Sequence, residues 1–101
     1  MQASTKINGT TFEVVLKDSM SFTDHEAFRK LIVEAGRSGA KTCVFDLAGL
    51  KAIDSAGLGM FMIAKDEAKK GGWDITLRSP KGPVKTIMVL SRFDKLFTIH
   101  S

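Results

Sequence analysis

The chain has 101 residues and a formal net charge of +4, with 44% hydrophobic and 26% charged residues. This length suits one compact domain, 1–101, and the composition is that of a chain that buries a core. No apolar run reaches the roughly 20 residues that cross a bilayer, and the first residues lack the apolar stretch of a signal peptide. We therefore expect a cytoplasmic protein that does not insert into a membrane.

The positive charge does not by itself indicate a nucleic-acid partner. The lysines are spread along the chain, the longest basic run is Lys69-Lys70, and no aromatic residues alternate with them. A solvated surface explains this pattern better than a groove that follows phosphates, so no nucleic-acid binding is expected.

Cysteine and histidine are too few for the usual metal sites. The single cysteine, Cys43, lies in an apolar run typical of a buried strand, so we interpret it as a small core residue. His25 and His100 are far apart in the sequence and do not complete a ligand set with it. Neither a metal nor a cofactor is expected.

The N-terminal part predicts a β-hairpin followed by a helix. Asn8-Gly9 is a turn signal between strands near Ser4–Ile7 and Thr11–Leu16. Alternation in the second strand places one set of side chains inside and one outside: Phe12, Val14 and Leu16 against Glu13, Val15 and Lys17.

The first helix is expected to begin at a capping box and to end near Ser38. Thr23 and Glu26 have the capping-box spacing, and Phe22 is placed to pack on the first turn. Gly39 suits a left-handed cap. The residues at helical spacing that predict its buried face are Ala27, Phe28, Leu31, Ile32 and Ala35.

The remaining elements alternate between strand and helix. Lys41–Leu47 reads as a central strand covered on both faces, and a turn through Gly49 follows it. The later elements are a helix from Asp54 or Ser55 to about Lys70, a strand Trp73–Arg78, a helix Pro83–Ser91 and a short strand Phe97–His100. The order β-β-α-β-α-β-α-β predicts an α/β fold, with a mixed, mainly parallel sheet of four to five strands and three helices, which can all pack on one side.

The second helix carries the most informative pattern. Gly57 and Gly59 each cost about 1 kcal/mol relative to alanine inside a helix, which suggests close approach of the sheet or of a partner's backbone. At about 100° per residue, one side of this helix can face the sheet. That side contains Gly57, Met60, Phe61, Ala64 and Ala68.

Leu58 and Met62 fall on the opposite side, near Ser55, and Lys65, Asp66 and Lys69 continue the same stripe. Two interpretations remain open. The two apolar side chains can be scattered surface residues or be covered by a loop. Alternatively, Asp54, Ser55, Leu58, Met62, Lys65 and Asp66 form a docking face for a partner.

A phosphate on Ser55 would change such a face without breaking the fold. It adds about −1.5 to −2 charges and three acceptor oxygens, which the free amides of a helix N-terminus tolerate. Asp54 would add repulsion, and a partner in contact with Leu58 would meet a dianion instead of a hydroxyl. The competing explanation is that the serine is simply a helix cap.

The segments Val44-Phe45-Asp46-Leu47 and Ile53-Asp54-Ser55-Ala56-Gly57-Leu58-Gly59 resemble the STAS domain family, the bacterial anti-sigma factor antagonists. The resemblance continues through Gly71-Gly72, Val84-Lys85 and Leu90–Phe97, and covers roughly residues 41 to 100. It implies the fold described above and a non-catalytic, phosphorylation-regulated partner switch. Its implied phosphorylation site is Ser55, and Asp54 matches the family's acidic neighbour of that serine.

The resemblance also implies partners. They are a serine kinase or anti-sigma factor of the histidine-kinase-like ATPase type, which binds the unphosphorylated form, and a metal-dependent serine phosphatase. Other members of the family serve in sensory assemblies or as modules of lipid and anion transporters. A constitutive interaction module in which Ser55 is never phosphorylated therefore remains the alternative.

Two places depart from the family's pattern. The loop Lys17–Phe22 lacks the glycine that members often carry there, and Arg92 stands where a glycine commonly ends the third helix. The loop normally lies near the serine, so the departure suggests an unusual partner.

Enzymatic function is not expected. Ser55 would need a base and an oxyanion site, and Gly-x-Ser-x-Gly is absent. The Asp-Ser-Ala-Gly-Leu-Gly segment also lacks the Lys-[Ser/Thr] of a P-loop, although weak nucleotide binding at this helix end stays open.

Overall fold

A five-stranded mixed sheet organises the chain, and the computed structural model describes all of residues 1–101. The strands are β1 (Gln2–Asn8), β2 (Thr11–Met20), β3 (Thr42–Ile53), β4 (Asp74–Arg78) and β5 (Thr98–His100). The helices are α1 (His25–Arg37), α2 (Ser55–Gly71), α3 (Gly82–Leu90) and the short α4 (Phe93–Leu96), and a 3-10 turn (Phe22–Asp24) precedes α1. The predicted α/β class is confirmed, and α4 is an additional helix that the sequence pattern did not predict.

The strands lie side by side in the order in which they occur in the sequence. The spatial order is β1-β2-β3-β4-β5, with β1 antiparallel to β2 and every later pair parallel. The predicted hairpin is confirmed: Asn8 pairs with Thr11, and Gly9 adopts a φ of +63°, which glycine reaches without strain. β3 is central, as expected.

The helices cover only one face of this sheet. The predicted alternation in β2 is confirmed, because Phe12, Val14 and Leu16 are buried while their neighbours are partly or fully exposed. β3 alternates in the same way, and Val44 is only half-buried. The expectation that β3 is covered on both faces is therefore wrong, since its apolar run reflects one buried face and one half-exposed face.

One continuous core joins the sheet to all four helices. Its centre is aromatic: the ring of Phe28 lies 5.5 Å from that of Phe45 and 5.1 Å from that of Phe61, centroid to centroid. Such pairs add stabilisation beyond the burial of their area. The residues predicted for the sheet-facing side of α2 are all buried, namely Gly57, Met60, Phe61, Ala64 and Ala68.

The start of α1 differs from the prediction. The capping box joins Ser21 and Asp24, whose Oδ2 accepts a bond from the Ser21 amide at 2.9 Å, rather than Thr23 and Glu26. The chain enters through the 3-10 turn, which leaves Phe22 71% exposed instead of packed on the helix. Ala27 is also exposed, so it does not belong to the buried face.

Strands β2 and β3 run further than predicted. β2 continues to Met20 and β3 to Ile53, and the two pair along this extension with register shifts. The expected turn at Gly49 is therefore wrong, because Gly49 lies within β3.

Left-handed residues end several elements, and three residues with a positive φ are not glycine, namely Asp18 within β2, Ser79 after β4 and Arg92 before α4. Gly39 has a φ of +77°, as predicted, and Gly72 caps α2 with a φ of +76°. Arg92, which replaces the expected glycine, has the left-handed conformation with a φ of +62°. Asp18 has a φ of +70° and lies in the glycine-free segment that was expected to be a loop and forms the end of β2. Both departures from the family's pattern thus retain the backbone geometry that a glycine would favour. No helix has the combination of length and apolar character that crossing a membrane requires.

Candidate functional site

The N-terminus of α2 is positioned by the end of β3. Asp54 follows Ile53 with an extended backbone, and its Oδ1 accepts a hydrogen bond from the Gly57 amide at 2.8 Å. Asp54 is therefore the N-cap and Ser55 is the first helical residue. The sequence is compatible with either Asp54 or Ser55 as the N-cap, and in the structure Asp54 alone has that role.

Ser55 is an exposed hydroxyl at this helix start. Its side chain makes no hydrogen bond with the rest of the chain, so capping does not account for it. The amides of Ser55 and Ala56 belong to the first turn and have no acceptor inside the helix. An anion on the Ser55 side chain would therefore lie close to unused donors and to the positive end of the helix dipole.

The last residues of β2 support this corner closely. The Asp54 amide donates to the Met20 carbonyl at 3.2 Å. A methyl group at Gly57 would lie 2.6 Å from Ile53 Cγ1 and 3.3 Å from the Met20 oxygen. Close approach of the sheet thus explains Gly57. At Gly59 an added methyl group would meet nothing within 4 Å, so no packing inside the chain requires that glycine.

Phe22 is a neighbour of the site, although its position before Thr23 predicted that it would pack on the first turn of α1. It lies two residues after Met20, in the 3-10 turn that contacts α2, and its ring is largely exposed. The capping-box spacing at Ser21 and Asp24 was the signal that could have placed it correctly, because that box moves the start of the helical segment and turns Phe22 outward.

The remaining residues of the predicted docking face differ in accessibility. Leu58 and Met62 are half-buried and pack against the rim of the core, so part of their apolar surface already has a partner. Lys65 is engaged within the chain: its Nζ donates to the Leu96 carbonyl at 2.7 Å and lies 5.7 Å from the centre of the Phe97 ring. Asp66 is exposed.

The other reactive groups lie away from this corner. Cys43 is buried in the core, where desolvation raises the pKa of its thiol to about 12, in keeping with a core residue. Arg78 hydrogen-bonds Glu13 and, at 3.0 Å, Asp46 on the half-exposed face of the sheet. His25 begins α1 and His100 ends β5, and neither is hydrogen-bonded to Ser55.

Known proteins share this architecture. The family profile described as Mlab, STAS domain matches residues 3–98. A Thermotoga maritima protein described as a candidate anti-sigma factor antagonist superimposes with a TM-score of 0.87 at 19% identity, over 98% of this chain and 86% of that one.

The anti-sigma factor antagonist SpoIIAA has a similar structure in two chemical states. Its unphosphorylated form gives a TM-score of 0.74 at 15% identity, over 99% of this chain and 87% of that one. The phosphorylated form of SpoIIAA from Bacillus gives 0.75 at 16% identity, over 99% and 92%. At these identities the likeness establishes the fold, and the profile match over residues 3–98 establishes the family: the chain belongs to the STAS domain family.

Proposed function

We propose that this protein is an anti-sigma factor antagonist that exchanges partners according to the phosphorylation of Ser55. The unphosphorylated form binds a kinase-like anti-sigma factor through the start of α2, and the phosphorylated form releases it. The observation that carries the proposal is that Ser55 presents a free, exposed hydroxyl while Asp54 performs the capping.

The surroundings of Ser55 suit a contact that a phosphate would disrupt. Phe22 offers an exposed aromatic ring beside the helix start, and aromatic side chains are frequent anchors of protein interfaces. Leu58 and Met62 add the apolar surface that the core leaves uncovered. A phosphate at Ser55 would place a hydrated dianion at the edge of this patch, and its desolvation would oppose docking.

The same phosphate is compatible with the fold. It would lie at a helix N-terminus, where free amides and the helix dipole favour negative charge, and no buried group would have to move. SpoIIAA supports this argument, because its phosphorylated and unphosphorylated forms match this chain almost equally well. The switch therefore acts on the surface and leaves the sheet unchanged.

The kinase in this proposal is an ATPase of the histidine-kinase-like type, and a metal-dependent serine phosphatase restores the hydroxyl. The chain itself is proposed to be non-catalytic, since Ser55 has no side-chain base bonded to it. Asp54 and Asp66 would contribute polar contacts at the rim. Lys65 is a weaker candidate for a contact with the partner, because its ammonium group already donates a hydrogen bond to the Leu96 carbonyl.

Phosphorylation and binding can be tested separately. Incubation with a candidate kinase and ATP should add a single phosphate, which mass spectrometry should locate on Ser55. Calorimetry with the same kinase-like protein should then show tight binding for the unmodified protein and for Ser55→Ala, and at least roughly tenfold weaker binding for Ser55→Asp, a loss of about 1.4 kcal/mol.

A second exposed apolar residue supplies the control for the docking face. Phe22→Ala should weaken binding of the kinase-like protein, whereas Ile7→Ala should not. Ile7 is 61% exposed and pairs with Phe12 at the start of β2, whereas Phe22 follows the far end of that strand. Equal affinities of the unmodified protein, Ser55→Ala and Ser55→Asp would contradict the switch. That result would favour a constitutive module of a transporter or sensory assembly, with Ser55 never modified.

A further inference from the structure

A second apolar surface lies between α1 and α2, on the side of α2 that faces away from Leu58. The two helices form a groove of about 650 Å³, which we call the α1–α2 groove. Val33 on one wall is 43% exposed and Ile63 on the other is 53% exposed, while Trp73 closes one end. The floor is formed by core residues, namely Phe28, Ile32 and Met60. Single apolar residues scattered over a surface are normal, whereas exposed apolar side chains on both walls of one groove are typical of a binding surface.

The rim of the groove is basic. Arg29 and Arg37 border it on α1 and Lys70 on α2, against the single acidic residue Glu67. Glu67 and Lys70 form an exposed pair at 3.7 Å, which leaves the two arginines without an acidic partner. His25, the remaining titratable group at this rim, cannot carry negative charge. An occupant is therefore expected to carry negative charge.

The spacing of the two arginines indicates the shape of that occupant. Arg29 and Arg37 are eight positions apart on α1, which at the helical rise corresponds to about 12 Å along the groove. Two separate carboxylates about two turns apart on a helix match this spacing better than a single anionic head group does. The core residues of the floor expose almost no surface, so the accessible apolar area of the groove lies on its two walls. Small ligands are usually enclosed over most of their surface, which this arrangement does not provide.

We infer that the α1–α2 groove is a second docking surface, and that its partner is an amphipathic helix with an acidic polar face. The apolar side of such a helix would lie between Val33 and Ile63, in the helix-in-groove mode. Its carboxylates would pair with Arg29 and Arg37. A symmetric contact between the grooves of two copies of this chain is disfavoured, because the two basic rims would repel each other.

This surface is separate from the one that Ser55 is proposed to control. Ile63 lies on α2 about 80° around the helix from Ser55, towards α1, and the groove extends from there to the C-terminal end of the helix. A partner in the groove can therefore remain bound whether or not Ser55 carries a phosphate. The inference does not depend on the proposed function of Ser55.

The single tryptophan of the chain allows a direct test, because Trp73 lines the groove. The probe is a synthetic, tryptophan-free helical peptide of about 15 residues, with leucines at i, i+3, i+4 and i+7 and glutamates on the other face. Its binding should shift the fluorescence of Trp73 and, in ¹⁵N spectra, move the Trp73 indole and the Val33 and Ile63 amides. The affinity should fall as salt is raised.

Variants and matched peptides decide the outcome. Ile63→Glu should weaken peptide binding at least roughly tenfold, whereas Val89→Glu should not, because Val89 is 50% exposed but lies outside the groove. Reversing Arg29 and Arg37 to glutamate should transfer the preference to the same peptide with lysines in place of glutamates. Ser55→Asp should bind as the unmodified protein does.

Three results would overturn the inference. The first is failure of the acidic peptide to bind at millimolar concentration. The second is equal binding of the acidic peptide, the basic peptide and a peptide of scrambled order. The third is tighter, Ile63-dependent binding to phosphatidylglycerol vesicles than to the peptide, which would identify the surface as a membrane contact. Circular dichroism of each variant would establish that it is folded.

Discussion

Replacing Gly57 and Gly59 by alanine, one at a time, should separate a glycine that packing requires from one that it does not. Both lie in the first turns of α2, and each substitution should gain about 1 kcal/mol of helix propensity. At Gly59 the new methyl group meets nothing within 4 Å, so the free energy of unfolding should rise by the full propensity gain. For a domain of this size, a gain of about 1 kcal/mol raises Tm by about 4–8 °C.

At Gly57 the same methyl group would lie 2.6 Å from Ile53 Cγ1. Carbon atoms in contact are normally about 3.5–4.0 Å apart, so the shortfall is about 1 Å. Ile53 is β-branched and restricted at χ1, and the Met20 carbonyl 3.3 Å away prevents the helix from moving inward. Such overpacking costs about 1–3 kcal/mol. Because the propensity gain is common to both variants, Gly57→Ala should be less stable than Gly59→Ala by that amount.

Urea unfolding followed by far-UV circular dichroism measures the difference directly. Equal midpoints for Gly57→Ala and Gly59→Ala, with equal m-values, would refute the packing argument. An internal control is available, since Ile53→Ala removes the contacting Cγ1. When Ile53→Ala is also present, the free energies of unfolding of Gly57→Ala and Gly59→Ala should differ much less.

Two further predictions concern groups away from the site. Cys43 should not react with thiol reagents at pH 8 in the folded protein and should react at once in urea, because burial raises the pKa of its thiol to about 12; rapid labelling of the native protein would contradict this. Arg78→Met should lower the free energy of unfolding by about 1 kcal/mol at pH 7, the value for a partly exposed ion pair. Burial alone would raise the pKa of Asp46, but the Ala48 amide and Arg78 outweigh burial and hold it below its usual value. A carboxyl group with a lowered pKa in the folded state stabilises above its unfolded pKa of about 3.9 and stops doing so as pH falls through the folded value. The difference in the free energy of unfolding between the variant and the unmodified protein should therefore shrink in urea titrations as pH falls below about 4. A constant difference would mean that Arg78 acts through packing alone.

The parts of the fold that follow regular periodicities were predictable from the sequence. The alternation from Phe12 to Leu16 and the helical spacing from Gly57 to Ala68 each placed the buried side chains correctly, because burial of one face is what these patterns encode. The two places where glycine was expected kept their left-handed backbone with Asp18 and Arg92.

The parts that depend on tertiary contacts were not predictable. The extension of β2 to Met20 consists largely of polar residues, and it is held by pairing with the far end of β3, which no local pattern reports. Val44 was expected to be covered because its strand is apolar, yet no helix packs on that face of the sheet. Phe22 is exposed because a 3-10 turn precedes α1. The capping box therefore begins at Ser21, two residues before the predicted Thr23.

The candidate site combines a feature that the sequence predicts with one that depends on the three-dimensional geometry. The position of Ser55 at the start of a helix could be predicted, whereas the transfer of the capping role to Asp54 requires the geometry of the bond from the Gly57 amide. The roles of Ser55 and of its neighbours in partner binding stay predictions for the experiments described above.

The spatial order of the strands has a consequence for how the chain folds. Because β1 to β5 are neighbours in the sequence and in the sheet, each new pairing closes only the segment that separates two successive strands. No strand has to insert between two that are already paired, so the entropy of loop closure is lost in small steps. Folding rates rise as contacts become more local in sequence, and we expect the sheet to assemble by addition of one strand and its helix at a time. A chain that folds in this way leaves few strand edges unpaired for long, which limits misassembly during folding.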